Sequence, residues 1–286
     1  SFAADLGAKY LREAGIEAYS EQSHEFEYMA DQVSEDDLVI AVSQSGETAD
    51  LLSALKKIDA PVLSVVNVVG STLARNSDHN MYVNAGPEIG VASTKAFTAQ
   101  LTVLKLLSLT MHKSLNEARD SLLETSEKID PMLEDNKGEI NQIAKYIAEK
   151  DDIYFIGRNR GCELAKEASL KLKELSYIHS EAFPGGEFKH GTLSLIEEGV
   201  PVFAFLTDDE SATLSNAIEA GSRGADLVGI GTERPDSFKH FIQVPEDENR
   251  EILEIIPFQL LAYETSKLKG NDPDKPRNLA KSITVK

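Results

Sequence analysis

A single cysteine, Cys162, occurs in 286 residues. One thiol cannot close an internal disulfide and supplies no cluster of soft metal ligands, so a reducing cytoplasm is the expected setting and no metal is called for. Long uninterrupted apolar runs are also missing, and no charged-then-apolar segment opens the chain. Neither a membrane span nor a secretory leader is therefore expected. Basic residues are scarce relative to acids, 29 Lys and Arg against 48 Asp and Glu, a formal charge of −19. Such a chain repels nucleic acid and anionic lipid, and no basic stripe with interleaved aromatics offsets the repulsion. An anionic small substrate would have to be held by backbone N–H groups, hydroxyls and a helix terminus, because the bulk field opposes it.

What is present is an alternation. Short apolar runs are separated by longer stretches of helical period, the pattern of an α/β fold whose parallel sheet is covered by helices. The clearest strands are Leu38 to Val42, Pro61 to Val66, Ile153 to Ile156, Val200 to Leu206 and Asp226 to Ile230. All but the second run into Gly, Ser, Thr or Asp and then a helical stretch, as a strand-to-helix turn requires. The length exceeds a comfortable single core, so two domains or one duplicated domain are expected. Between Lys113 and Lys150 charged residues at helical spacing dominate, which reads as helices joining two α/β halves, residues 1–135 and 136–286. The halves are weakly alike: DDLVIAVSQSGETADLLSAL and GVPVFAFLTDDESATLSNAI share the order strand, polar turn, helix. In the second copy the turn is acidic, Thr207, Asp208, Asp209 and Glu210, and would repel a phosphate. The second half also opens with a strand, DDIYFIGRNRG, whereas the first begins already helical at SFAADLGAKYLREAGI. One opening strand of the first half is therefore expected to be missing.

Three segments carry chemistry. SQSGET, Ser43 to Thr48, lies at the carboxyl end of a strand, where ligands bind in open α/β sheets. Ser43, Ser45 and Thr48 offer hydroxyls, Gln44 an amide and Gly46 a flexible backbone, a set suited to a phosphate dianion. The same residues serve equally as a capping turn with Ser45 at the N-cap. If phosphate binds there, Glu47 has to point away. A second loop, GPEIGVASTKAF from Gly86 to Phe97, brings Ser93, Thr94 and Lys95 to a helix start and is by itself an ordinary cap. In the third segment Glu167, Lys171 and Glu174 share one helix face at spacings of four and three. That spacing describes a carboxylate pair tuning an ammonium, and also a surface ion pair worth about 0.3 to 0.5 kcal/mol. GGEFKHGTLSLI follows, with His190 able to titrate near neutrality. The tail NDPDKPRNLAKSITVK, stiffened by Pro273 and Pro276, is shaped to pack.

SQSGETAD, GVASTKAFTAQL, EASLKLKELSYIHSEAFPGGEFKHG and PRNLAKSITV, in this order, resemble the isomerase domain of glutamine:fructose-6-phosphate amidotransferases over the whole chain. The resemblance implies two flavodoxin-like parallel-sheet halves, tandem sugar-isomerase domains, and a homodimer that shares its active sites. It implies fructose 6-phosphate and glucosamine 6-phosphate as ligands, no cofactor, and ammonia from a glutaminase domain outside these residues. Ser43, Gln44, Ser45, Thr48 and Ser1 would hold the phosphate, and Val91, Ser93 and the Ala280 backbone the sugar. Glu174 would carry the proton between C1 and C2, with Lys171 and Glu167 as its charged neighbours. His190, lent by the second subunit, would open the ring, and Lys281 would form a Schiff base with the ketose carbonyl. An exposed lysine is neutral only about once in two thousand molecules at pH 7, so Lys281 needs desolvation or a neighbouring cation such as Lys171. Two rival readings keep the fold: a free-standing phosphosugar isomerase or deglycase, and a phosphosugar-sensing module that needs the SQSGET turn but not Glu174, His190 or Lys281.

Overall fold

The computed structural model describes residues 2–208 and 210–281. They form two compact units, Ala3–Ala118 together with the segment that begins at Arg277, and Arg119–Pro276. The first unit contains helix α1 (Phe2–Glu13), a single turn α2 (Ser23–Phe26), β1 (Val39–Ser43), α3 (Ala49–Leu55), β2 (Val62–Val66), α4 (Thr72–Asn76), β3 (His79–Tyr82) and α5 (Lys95–Leu109). The β-branched runs VIAVS and VLSVV make β1 and β2, β2 lies between β1 and β3, and all pairing is parallel. Val39 faces Val62 through to Ser43 and Val66, and Leu63 faces His79 through to Val66 and Tyr82. On one side of this sheet Ala41, Val62, Val66, Leu73 and Ala74 form a buried cluster with Leu51, Leu52 and Leu55 of α3 packed against it. α1 and α5 approach closely because Gly7 leaves room for Leu104, and the Ser108 hydroxyl donates to the Tyr10 carbonyl at 2.7 Å.

Helix α6 (Leu115–Glu127) crosses the boundary, and α7 (Ile129–Ala148) leads into the second unit. Residues 135 and 136, where the repeat pattern places the junction, lie inside α7. The stretch from 119 is tied to the second unit by polar contacts: Thr125 donates to Asp247 at 2.8 Å, Asn249 donates to Thr125 at 2.9 Å, and Lys128 pairs with Asp247 at 2.7 Å. There follow β4 (Asp152–Gly157), α8 (Arg160–Ser176), β5 (His179–Pro184), β6 (Pro201–Phe205), α9 (Glu210–Gly221), β7 (Asp226–Gly231), β8 (His240–Gln243) and α10 (Arg250–Leu268). The five strands are parallel in the order β5-β4-β6-β7-β8. Tyr154, Ile156, Val202, Ala204 and Leu206 bury one face of this sheet with Phe188 and Ala217. On the other face the rings of Phe155 and Phe203 stack at 4.7 Å and Phe258 of α10 meets both edge-on. Each such ring pair adds about 0.5 to 1.5 kcal/mol beyond its buried area, so the α10 side of the sheet is fixed by aromatics.

The five strands read from sequence are all present. The three that were not, β3, β5 and β8, are four to six residues long and rich in polar side chains, as HNMY and HFIQ show. They occupy sheet edges, where apolar periodicity is weakest. Among the described residues α1 precedes every strand of the first sheet, whereas β4 precedes α8 in the second. Among the described residues no helix is long and apolar enough to cross a membrane.

Candidate active site

In the first unit the SQSGET turn leaves the carboxyl end of β1. Ser43 is buried, and its Oγ accepts the Gly46 N–H at 3.0 Å, while the Ser45 Oγ accepts the Glu47 N–H at 3.2 Å. Gly46 takes φ +69°, and a Cβ there would collide with the Ser71 side chain, so the turn needs glycine for both reasons. Thr48 is the N-cap of α3 and makes no side-chain capping bond. The Gln44 carbonyl accepts the Asn67 N–H at 3.3 Å, which joins the turn to the end of β2. Glu47 does point away: its carboxylate accepts the Thr72 N–H at 2.7 Å and caps α4. Hydrogen bonds from the Thr72 backbone and hydroxyl hold the Glu47 carboxyl below the usual range. The acid that would oppose an anion is thereby spent on the next helix. Ser1 lies outside the described residues.

A loop from Val83 to Thr94 follows β3. Asn67 stitches its start, donating to the Gly86 carbonyl at 2.9 Å and accepting the Ala85 N–H at 3.0 Å. Val91 and Ser93 lie further along it, and Glu88 organises that part. One Glu88 oxygen accepts the N–H groups of Thr94 at 2.8 Å and Ala96 at 3.2 Å, at the start of α5, and stands 3.5 Å from the Ser93 hydroxyl. The other accepts the Lys281 ammonium at 2.8 Å, and the same Nζ donates to the Gly90 carbonyl at 2.7 Å. The Glu88 side chain is 4% exposed. Burial pushes its carboxyl up, but the Lys281 ammonium and the two backbone N–H donors outweigh burial and leave it below the usual range. Lys281 therefore rests on a carboxylate, where the sequence asked for a neighbouring cation. Ala280, just before it, is exposed.

Helix α8 of the second unit carries the charged triad. It starts where β4 and α8 nearly touch, since a Cβ on Gly157 would strike the Gly161 backbone, and it stops at Tyr177 with φ +59°. Lys171 Nζ lies 2.6 Å from Glu174 and 3.5 Å from Glu167. The side chains of Lys171 and Glu167 are only 3% and 5% exposed, and Glu174 is 22% exposed, so this is no surface ion pair. Burial raises the Glu167 carboxyl to about 7, opposed by Lys171 and reinforced by Glu174. Lys171 is desolvated too, yet the two carboxylates raise it above the ordinary lysine value. The helix thus presents a buried ammonium held in its charged form by two carboxylates, a buried Glu167 carboxyl raised toward neutrality, and Glu174 at the open end. His190 is exposed and follows the short turn Glu187–Lys189, its N–H bonded to the Glu187 carbonyl at 2.9 Å. Cys162 is buried in the first turn of α8.

The acidic copy of the SQSGET turn is filled by its own side chains. Asp208 accepts the Arg160 backbone N–H at 2.8 Å and its guanidinium Nε at 2.7 Å, and Arg160 also pairs with Glu251. Thr207 donates to Glu254 at 2.6 Å, and Arg250 reaches both Glu254 and Glu210. Asp209 lies outside the described residues. Complete burial raises Glu254 to about 8, the Thr207 hydroxyl and Arg250 opposing. Where the first unit offers hydroxyls, the second offers a closed ion network.

A SIS domain matches residues 1–110 and 146–266. The chain belongs to the SIS-domain family. It is 44% identical over 94% of its length to the glutamine–fructose-6-phosphate aminotransferase (isomerizing) of Thermococcus kodakarensis, and 42% identical over its full length to that of Thermotoga maritima. The SIS chain spans 47% and 50% of those relatives, about half their length. Among solved structures, the C-terminal domain of glucosamine-fructose-6-phosphate aminotransferase from Francisella tularensis superimposes with a TM-score of 0.88 at 34% identity, over 96% of this chain and 84% of that one. Tagatose-6-phosphate ketose/aldose isomerase from Escherichia coli shares the fold, with a TM-score of 0.77 at 17% identity over 98% and 83% of the two chains. The resemblance read from four motifs and the tandem parallel-sheet fold both stand. What sequence reasoning missed in this SIS protein is Glu88 and Asn67. Both act on a loop distant in sequence from one of their partners, and the only local hint was an acid among capping residues.

Proposed function

We propose that this SIS chain is the isomerase part of a glucosamine-6-phosphate synthase, acting on fructose 6-phosphate in the cytoplasm as a homodimer. The observation that carries the reading is the burial of Glu167 and Lys171 on α8 beside the half-buried Glu174. Burying an ammonium and a carboxyl beside a second carboxylate is costly and gives little stability, so a functional demand on them is the economical explanation. In this reading Ser43, Gln44, Ser45, Thr48 and Ser1 hold the phosphate, Val91, Ser93 and Ala280 contact the sugar, and His190 of a second copy moves the proton that opens the ring. The Lys281 amine adds to the C2 carbonyl and water leaves; ammonia then displaces the lysine from the imine. Glu174 takes a proton from C1 and returns it to C2, so the C1 alcohol becomes the aldehyde of glucosamine 6-phosphate. Without ammonia the same transfer on the ketose gives glucose 6-phosphate. A glutaminase domain supplies ammonia in the longer protein. Lys171 keeps Glu174 aimed, and Glu167, close to neutrality in its titration, lets the buried charges balance as the proton moves.

The test is product formation from fructose 6-phosphate by the purified chain, followed as glucose 6-phosphate with a coupled dehydrogenase. Product is expected. A protein that binds the sugar phosphate and converts none of it is a sensing module, and the proposal fails.

A further inference from the structure

We propose that Glu88 is a positioning residue for Lys281, one carboxylate serving at once as the cap of α5 and as the anchor of the lysine amine. The inference rests on the imine-forming role proposed for Lys281 and adds a residue to it. The two oxygens of Glu88 divide the work. Oε1 takes the N–H groups of Thr94 and Ala96, and Oε2 takes Lys281 Nζ at 2.8 Å. A lysine side chain has four rotatable bonds, and the segment that carries this one, from Asn271 to Lys281, contains neither helix nor strand. Its amine is nonetheless fixed at two points, Glu88 and the Gly90 carbonyl, and both belong to the loop that carries Val91 and Ser93. The amine and the sugar-contacting residues are thus referred to one rigid piece, because the loop is itself clamped to α5 through Glu88 and to β2 through Asn67. Holding a nucleophile in place before it reacts is worth orders of magnitude in rate when the geometry is retained. The carboxylate is buried and already takes donors on both oxygens, so its contribution is placement.

Glu88→Gln separates the two tasks. The amide oxygen can still accept from Thr94 and Ala96, while the amide NH2 meets the ammonium donor to donor. The expected result is a kcat for ammonia-dependent glucosamine 6-phosphate formation at least tenfold lower, KM for fructose 6-phosphate within twofold, and borohydride labelling of Lys281 reduced at least tenfold, with the thermal midpoint within a few degrees of wild type. A simple loss of loop structure would raise KM, because Val91 and Ser93 would move with the loop. Wild-type labelling and kcat in Glu88→Gln overturn the inference, as does a rise in KM with kcat intact. If Glu88→Gln melts early, Glu88→Asp, which keeps the charge, takes its place and has to retain at least half of the wild-type labelling; less than that also overturns it. Lys281→Ala separates this failure from that of the underlying reading. Normal ammonia-dependent glucosamine 6-phosphate formation by Lys281→Ala removes the imine role itself, whereas an inactive Lys281→Ala beside a normal Glu88→Gln removes only the role of Glu88.

Discussion

Two glutamates in the second unit titrate well above the ordinary carboxyl range, and they have different fates in the proposed chemistry. Glu167 adjoins Lys171 and the proton-transfer carboxylate, whereas Glu254 belongs to the ion network that fills the acidic turn. For the first group the decisive variant is Glu174→Gln, which preserves shape and removes basicity. Binding of fructose 6-phosphate should survive, while exchange of solvent deuterium into C1 should fall on the order of a hundredfold or more. Exchange at the wild-type rate would show that another group carries the proton. For Glu254 the consequence is in stability. Its folded value of about 8 lies above the unfolded 4.5, so between those values the folded state holds a proton that the unfolded state has released. Stability from this residue is therefore undiminished below about pH 4.5, declines as pH rises, and is fully lost above about 8. Glu254→Gln removes the slope. Relative to wild type, its thermal midpoint should improve between pH 5 and pH 8, by an amount on the order of several degrees. A difference that does not change with pH would mean that Glu254 is already ionised when folded.

At the scale of elements the two strand-to-helix turns are the instructive comparison. Both leave the carboxyl end of a strand, β1 or β6, and both were legible, since a run of β-branched or aromatic residues ending in Ser, Thr and Asp has one natural reading. That one turn is acidic and the other rich in hydroxyls was equally plain. The sequence did not disclose that Glu47 is withdrawn to cap α4, or that Asp208 is taken up by Arg160, because those partners lie 25 and 48 residues away. The same holds for the triad. Its spacing was readable, but spacing alone cannot distinguish a solvated helix face from one covered by the rest of the unit. Burial made the difference. Edge strands β3, β5 and β8 escaped for the converse reason, that their polar residues follow neither period. The hydroxyl turn carries its own prediction: Ser45→Ala combined with Thr48→Ala should weaken fructose 6-phosphate binding at least tenfold, about 1.4 kcal/mol, the scale of lost hydrogen bonds to a charged group. Calorimetry that returns the wild-type affinity would move the phosphate elsewhere.

For the molecule as a whole the question is nitrogen. These residues carry a SIS match in both units and span about half the length of the relatives they match, and the function proposed for them is confined to the sugar chemistry. Its one thiol is buried in the first turn of α8, a poor place for a nucleophile that has to meet glutamine. Sugar conversion and glutamine use should therefore separate. The 286 residues should isomerise fructose 6-phosphate and hydrolyse no glutamine. Ammonia at high concentration should yield some glucosamine 6-phosphate, because free ammonia can displace Lys281 from the proposed imine. Borohydride added during turnover should attach the sugar to Lys281, since only an imine is reduced to a stable amine. Peptide mapping that finds the label on a different lysine would make the tail structural and favour a free-standing isomerase. Glutamine-dependent product from the purified chain would contradict the proposed assignment at its root.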